Sequence, residues 1–135
     1  MTVYVDDVRH KFGNMVMCHL WADTLDEMFA MVDAIGVQRK WIQGHPELSI
    51  GKAKNASWVH FDIALSKKDL AIKAGAVLTD KFGPVEHVAR LNIATGVPEL
   101  VAYGERRVEQ VGRWRQQNAA ARDNQQLKQG QIRWT

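Results

Sequence analysis

At 135 residues, with 46% apolar and 24% charged side chains, the chain has the size and composition of one ordinary globular domain able to bury its own core. Its single cysteine, Cys18, excludes an intrachain disulfide, and the flanking Met17 and His19 build no zinc-thiolate or redox motif, which predicts a cytoplasmic chain. The net charge of +3 is uneven: residues 1–80 hold nine Lys/Arg against ten Asp/Glu, and residues 81–135 nine against five. That excess favours contact with phosphates or an acidic partner but falls short of a dedicated nucleic-acid tail.

The first residues are charged and lack a long apolar run, so neither a signal peptide nor an anchor is expected. The apolar-rich run from Met15 to Ala22 is far too short to span a bilayer, and no membrane role follows. Thr2 to Val5 alternates as a strand ending at Asp6-Asp7. "RHKFGN", Arg9 to Asn14, reads as a turn punctuated by Gly13-Asn14, and Met15 to Ala22 as a second strand. Thr24 and Glu27 then match a capping box, and Leu25, Met28, Phe29, Val32 and Ile35 fall at helical spacing before Gly36, which predicts a helix over 25–35.

Val37 to Ser57 lacks periodicity and forms a long connection of the kind more often functional than a mere spacer. Its Gly51-Lys52 does not make a phosphate loop, because Gly44 is too distant and Ala53 stands where Ser or Thr is required. Trp58 to Ile63 reads as a strand, Ser66 as the N-cap of a short helix, and Ala76 to Thr79 as a further strand. Beyond Lys81 the pattern is helical. Gly83-Pro84 opens one helix and Gly96 closes it, and Pro98 opens a long one with Val101, Gly104, Val108 and Val111 as a narrow seam. The Gln/Asn/Ala-rich tail is expected to fray past about residue 118. The predicted organisation is an α/β core over 1–82 with a mixed sheet of about four strands and crossover helices. A helical extension over 83–118 packs on it or on a second copy, and a polar tail fills 119–135.

In "VHFDI", Val59, Phe61 and Ile63 share one face of a strand, and His60 and Asp62 share the other. His19 and Asp23 share a face of the earlier strand in the same way. If the helix at 25–35 is a crossover between parallel neighbours, Asp23 and Asp62 come at their carboxyl ends, where open α/β sheets bind ligands. His19, His60 and Asp62 then form a mixed imidazole and carboxylate set suited to a divalent ion of the manganese, iron or zinc type. Asp23 would be a ligand or water-orienting base and Asp7 a further catalytic candidate, although a hairpin would hold Asp6-Asp7 roughly 17 Å from Asp23. Arg39 and Lys40, beside Trp41, are candidates for holding substrate phosphate.

Plainer readings stand beside each. Asp23 can cap the following helix, His19 can be a half-buried strand residue, and His60 and Asp62 can pair on a wet sheet face. Asp6 and Asp7 can be turn acids, and Arg39-Lys40 can answer a helix C-terminal dipole. Arg9, His10 and Lys11 in the first loop and Lys52 and Lys54 in the long one would add to a positive rim, or are ordinary solvated loop residues.

"YVDD" at 4–7, "MCHLWADT" at 17–24, "AIGV" with "RKWIQG" behind it, and "HFDIALSKKDLAIKAGAV" at 60–77 resemble a small bacterial and bacteriophage family of unknown function, over about residues 3–80. The resemblance implies a bacteriophage origin and supplies no reaction. In that pattern a tyrosine stands in place of Phe61, and the link lengthened here by "HPELSIGKAKNAS" is shorter. The expected function is a metal-dependent phosphoesterase or nuclease-like hydrolase. The alternative is a non-catalytic phage accessory protein that binds nucleotide, nucleic acid or a host protein through its basic loops and Arg106, Arg107, Arg113 and Arg115. A homodimer through the C-terminal valine seam is a third reading.

Overall fold

A computed structural model describes residues 2–133, with side chains through Leu127. The chain divides into two compact units, Met1–Pro84 and Val85–Thr135. The first contains a five-stranded mixed sheet: β1 (Val3–Val5), β2 (His10–Phe12), β3 (Met15–Ala22), β4 (Phe61–Ala64) and β5 (Val77–Leu78). The chain is therefore of the α/β class, as its sequence predicts.

β3 is the hub. Met17 pairs with both His10 and Ala64, and Leu20 with both Val5 and Phe61, so β1 and β2 lie along one edge of β3 and β4 along the other. β5 adds to β1 in parallel. The expected turn over 9–14 is mostly strand: only Gly13 and Asn14 form the loop, with Gly13 at φ 61, the first-position glycine of a tight hairpin turn. The arm is interrupted between β1 and β2. Four residues, Asp6 to Arg9, sit between Val5 and His10, while only Cys18 and His19 sit between their partners Leu20 and Met17. This bulge of two surplus residues bends the arm and re-aims the side chains within it.

The predicted parallel crossover is corrected. β3 and β4 are antiparallel, in a register that sets His19 directly opposite Asp62. The helix between them, α1 (Leu25–Ile35), is as expected: Thr24 Oγ1 accepts the Glu27 N–H, and Gly36 closes it in the left-handed conformation at φ 80. Strand direction is instead decided by the long segment that follows. A short 3-10 turn at Arg39–Trp41 and another at Gly51–Asn55 fold that segment, and Gln43 forms an isolated bridge with His60 before β4 begins. α2 (Leu65–Lys73) starts one residue before the expected Ser66 cap, with Ala64 in the capping position.

One face of the sheet is core. Val5, Cys18, Leu20, Phe61 and Ile63 are essentially inaccessible, packed with Met28, Val32 and Ile35 of α1 and Ala71 of α2. Each large apolar side chain so buried contributes roughly 1.5–3 kcal/mol. The alternate residues, Tyr4, His10, His19, Trp21 and Asp62, point to the opposite face.

The second unit holds α4 (Pro98–Arg133) and most of α3 (Gly83–Ala94). Gly104, on the valine seam, lies against α3: a Cβ there would stand 2.5 Å from the Ala89 carbonyl oxygen and 2.8 Å from Ile93 Cγ1. Arg115 donates to Glu86 at 2.7 Å farther along. Where composition predicts fraying past residue 118, α4 continues as helix to Arg133; the last two residues of the expected tail, 134 and 135, lie outside the described residues. Among the described residues, no helix is long and apolar enough to cross a membrane.

Candidate metal centre

The register of β3 with its neighbours assembles the polar face. His19 opposes Asp62 across the β3–β4 ladder, and His10 opposes Met17 one pleat along on the other edge. Directly opposed side chains in such a ladder lie about 5 Å apart at Cβ, so an imidazole and a carboxylate there meet at their tips. His19 Nε2 lies 3.8 Å from Asp62 Oδ1, His10 Nε2 4.0 Å and His60 Nε2 3.4 Å from the same oxygen. Three imidazole nitrogens thus surround one carboxylate oxygen. That oxygen is buried and has no hydrogen-bond partner among the described residues.

The outer atoms of these side chains are tied down. Asp6, fully buried in the bulge, accepts the His19 backbone N–H at Oδ1 (3.0 Å) and the His19 Nδ1–H at Oδ2 (2.7 Å). His60 Nδ1 lies 3.0 Å from the Trp58 carbonyl oxygen, and the Trp58 ring stacks on His60 at 4.1 Å. Gln43 Nε2 donates to Asp62 Oδ2 at 2.5 Å. A carbonyl and a carboxylate can only accept, so in the neutral rings both Nδ1 atoms carry the proton. The lone pairs of His19 Nε2 and His60 Nε2 then face Asp62 Oδ1. Lone pairs turned toward a carboxylate repel unless a proton or a cation stands among them. This is the arrangement in which ligand histidines are oriented by carboxylate or carbonyl acceptors.

The electrostatics of the cluster follow from the same neighbours. The hydrogen bond to Asp6 raises the His19 pKa above its ordinary value; burial opposes this, and the charges of Asp6 and Asp62 reinforce it. Burial acts to raise the Asp62 carboxyl, but the His60 ring, the Gln43 amide and the charges of His60 and His19 outweigh it and leave the carboxyl below the usual range.

Two atoms that bind one ion at about 2.1 Å lie at most about 4.2 Å apart. All three separations to Asp62 Oδ1 meet that limit, and the ligand atoms of His10, His19 and Asp62 lie within 4.8 Å of one another. His10, His19 and Asp62 form a group that could hold a metal ion.

Of the residues singled out from sequence, His19, His60 and Asp62 come together. Asp23 does not join them: it is exposed, accepts the Thr2 N–H at 3.1 Å, and lies four strand residues from His19, about 13 Å along the chain. Asp7 is exposed while its neighbour Asp6 is the residue that turns inward. Arg39 is engaged elsewhere, paired with Asp33 at 2.6 Å and lying over the Phe29 ring. Lys40 sits over the Trp41 ring at 5.0 Å. Sequence reasoning placed His10 on a loop and Asp6 among turn acids. The signal that finds His10 is the two-residue Gly13-Asn14 loop, which carries pairing back from Phe12 and puts His10 beside His19, whereas Asp6 is placed by the register of β1 with β3.

Residues 3–93 match the family described as a protein of unknown function (DUF4031). The chain belongs to that family. The match runs past the expected limit near residue 80 and takes in nearly all of α3. Comparison with curated proteins and comparison with solved structures each give no match.

Proposed function

We propose that this DUF4031 member is a metal-dependent hydrolase acting on phosphate esters, with a divalent ion of the zinc, manganese or iron type held by His10, His19 and Asp62 and flanked by His60. The observation that carries the reading is the buried Asp62 Oδ1, without a hydrogen-bond partner among the described residues and ringed by three Nε2 atoms. An ion so held supplies Lewis acidity toward water and a phosphoryl oxygen. Asp6 and the Trp58 carbonyl orient the imidazoles, and the side chain of His10, 33% exposed, leaves the cluster accessible from the β2 side. Phosphate esters are favoured as substrates by the chain's net charge of +3, which suits an anionic substrate.

The test is metal analysis of protein purified without a metal-affinity tag, followed by zinc and manganese titration and an assay with bis(p-nitrophenyl) phosphate. The expected result is one ion per chain, metal-dependent turnover, and loss of both in Asp62→Ala and His19→Ala. Tight metal binding without turnover of this or a nucleic-acid substrate would remove the hydrolase assignment; no binding above that of Asp62→Ala would remove the centre.

A further inference from the structure

Asp62 meets the imidazoles with one oxygen only. Its other oxygen is taken by Gln43, whose Nε2 donates to Oδ2 at 2.5 Å. The Gln43 backbone is itself fixed: its N–H donates to the His60 carbonyl at 2.9 Å and its carbonyl accepts the His60 N–H at 3.1 Å. The next residue, Gly44, at φ 78, packs so closely on the chain entering β4 that a Cβ would stand 2.0 Å from the Trp58 carbonyl oxygen. That carbonyl is the one that orients His60. Gln43-Gly44 therefore braces two sides of the cluster, and the carboxylate cannot rotate its second oxygen inward without breaking the hydrogen bond from Gln43 Nε2.

Carboxylates bind ions through one oxygen or two, and oxygen-seeking ions such as manganese, magnesium and calcium favour more oxygen donors, whereas zinc accepts imidazoles with a single oxygen in a four-coordinate shell. We propose that Gln43 sets the metal preference of this centre by holding Asp62 to one-oxygen ligation, which makes the site selective for zinc-type ions over oxygen-seeking ones. The inference rests on the metal centre of the preceding section but not on hydrolysis. Gln43 is a positioning residue, since it touches the ligand and not the ion.

The experiment measures zinc and manganese dissociation constants for the wild type, for Gln43→Met, which keeps the bulk and loses the donor, and for Gln43→Glu, which adds oxygens. The expected result for Gln43→Met is a zinc affinity lower by about 10–100-fold, the scale of losing such an outer partner. Manganese affinity should stay within a few-fold, so that the zinc-to-manganese ratio falls about tenfold or more, and Gln43→Glu should shift it further toward manganese. Zinc and manganese constants that move together would mean a merely structural role and overturn the proposal, as would an unchanged ratio. Should the variants not fold, infrared spectra of the zinc-loaded wild type, read against Asp62→Asn, give the same decision: a one-oxygen carboxylate signature supports the proposal and a two-oxygen signature overturns it. Wild-type protein that binds neither ion would overturn both this inference and the centre, while a changed ratio without any turnover would leave this inference standing and remove only the hydrolase assignment.

Discussion

Asp6 holds His19 at two points at once: Oδ1 accepts the backbone N–H and Oδ2 the ring Nδ1–H, at 3.0 and 2.7 Å. A strand residue is thereby pinned both in its pleat and in its ring rotation by one fully buried carboxylate. Asp6→Asn keeps the shape but offers the ring an amide that need not accept, so the fixed tautomer is lost. Zinc affinity should fall about 10–100-fold with the fold retained, read by competition with a chromophoric chelator. Asp6→Ala also strands the His19 N–H and should cost about 1–3 kcal/mol in urea unfolding.

The same pair makes the metal-free protein sensitive to pH in a defined direction. Because the folded state raises the His19 pKa, its contribution is fully present below the ordinary imidazole value of 6.5 and is lost as pH rises through the folded value. Asp62 works oppositely: its folded pKa is lowered, so its contribution is present above 3.8 and is lost as pH falls through the folded value. Urea midpoints of metal-free protein should therefore be highest between those limits and decline from pH 6 to pH 9, with a smaller decline in Asp6→Asn. Saturating zinc should reverse the alkaline trend, since the ion competes with protons for Nε2. An alkaline decline equal in wild type and Asp6→Asn would refute the assignment of the effect to His19.

Cys18 lies beside this chemistry in sequence but on the other face. Burial, reinforced by the charge of Asp6, pushes its thiol up to about 12, and the side chain is inaccessible. A thiol in that state is neither a nucleophile nor a ligand at neutral pH. The native protein should resist a disulfide reagent at pH 8 for as long as it stays folded and react at one site per chain once denatured. Rapid native labelling would mean that β3 opens locally.

The sequence made some links of this architecture readable and hid others for identifiable reasons. Helix α1 was legible because its signals are local: Thr24, Glu27 and Gly36 lie within one stretch and act on its own backbone. The core face of β4 was legible because Val59, Phe61 and Ile63 alternate with polar residues, whatever strand lies alongside. The direction of β4 was not, because α1 satisfies the pattern of a crossover, and only the path of the long segment through the Gln43–His60 bridge decides the pairing. Asp23 looked like part of a site on the assumption of parallel strands. With β3 and β4 antiparallel, the end of β3 that carries Asp23 runs away from Asp62, and the neighbours gathered at His19 come from the middle of the strand. His10 was hidden by its sequence surroundings, a basic stretch next to Gly-Asn, which by composition alone is indistinguishable from a loop.

The surplus in the β1–β2 arm decides which side chain His19 receives. Continuing the register of β2 without interruption, from Phe12↔Met15 through His10↔Met17, would bring Val8 opposite His19 and leave Asp6 opposite Trp21. The register of β1, set by Val3 and Val5 in the core, instead brings Asp6 to His19. The tight turn aligns His10, the buried valines align Asp6, and the slack between them lets the two alignments coexist. A single arm thus delivers the Asp6 carboxylate to one side of the His19 ring and the His10 ring, 5.1 Å away, to another, each under separate control.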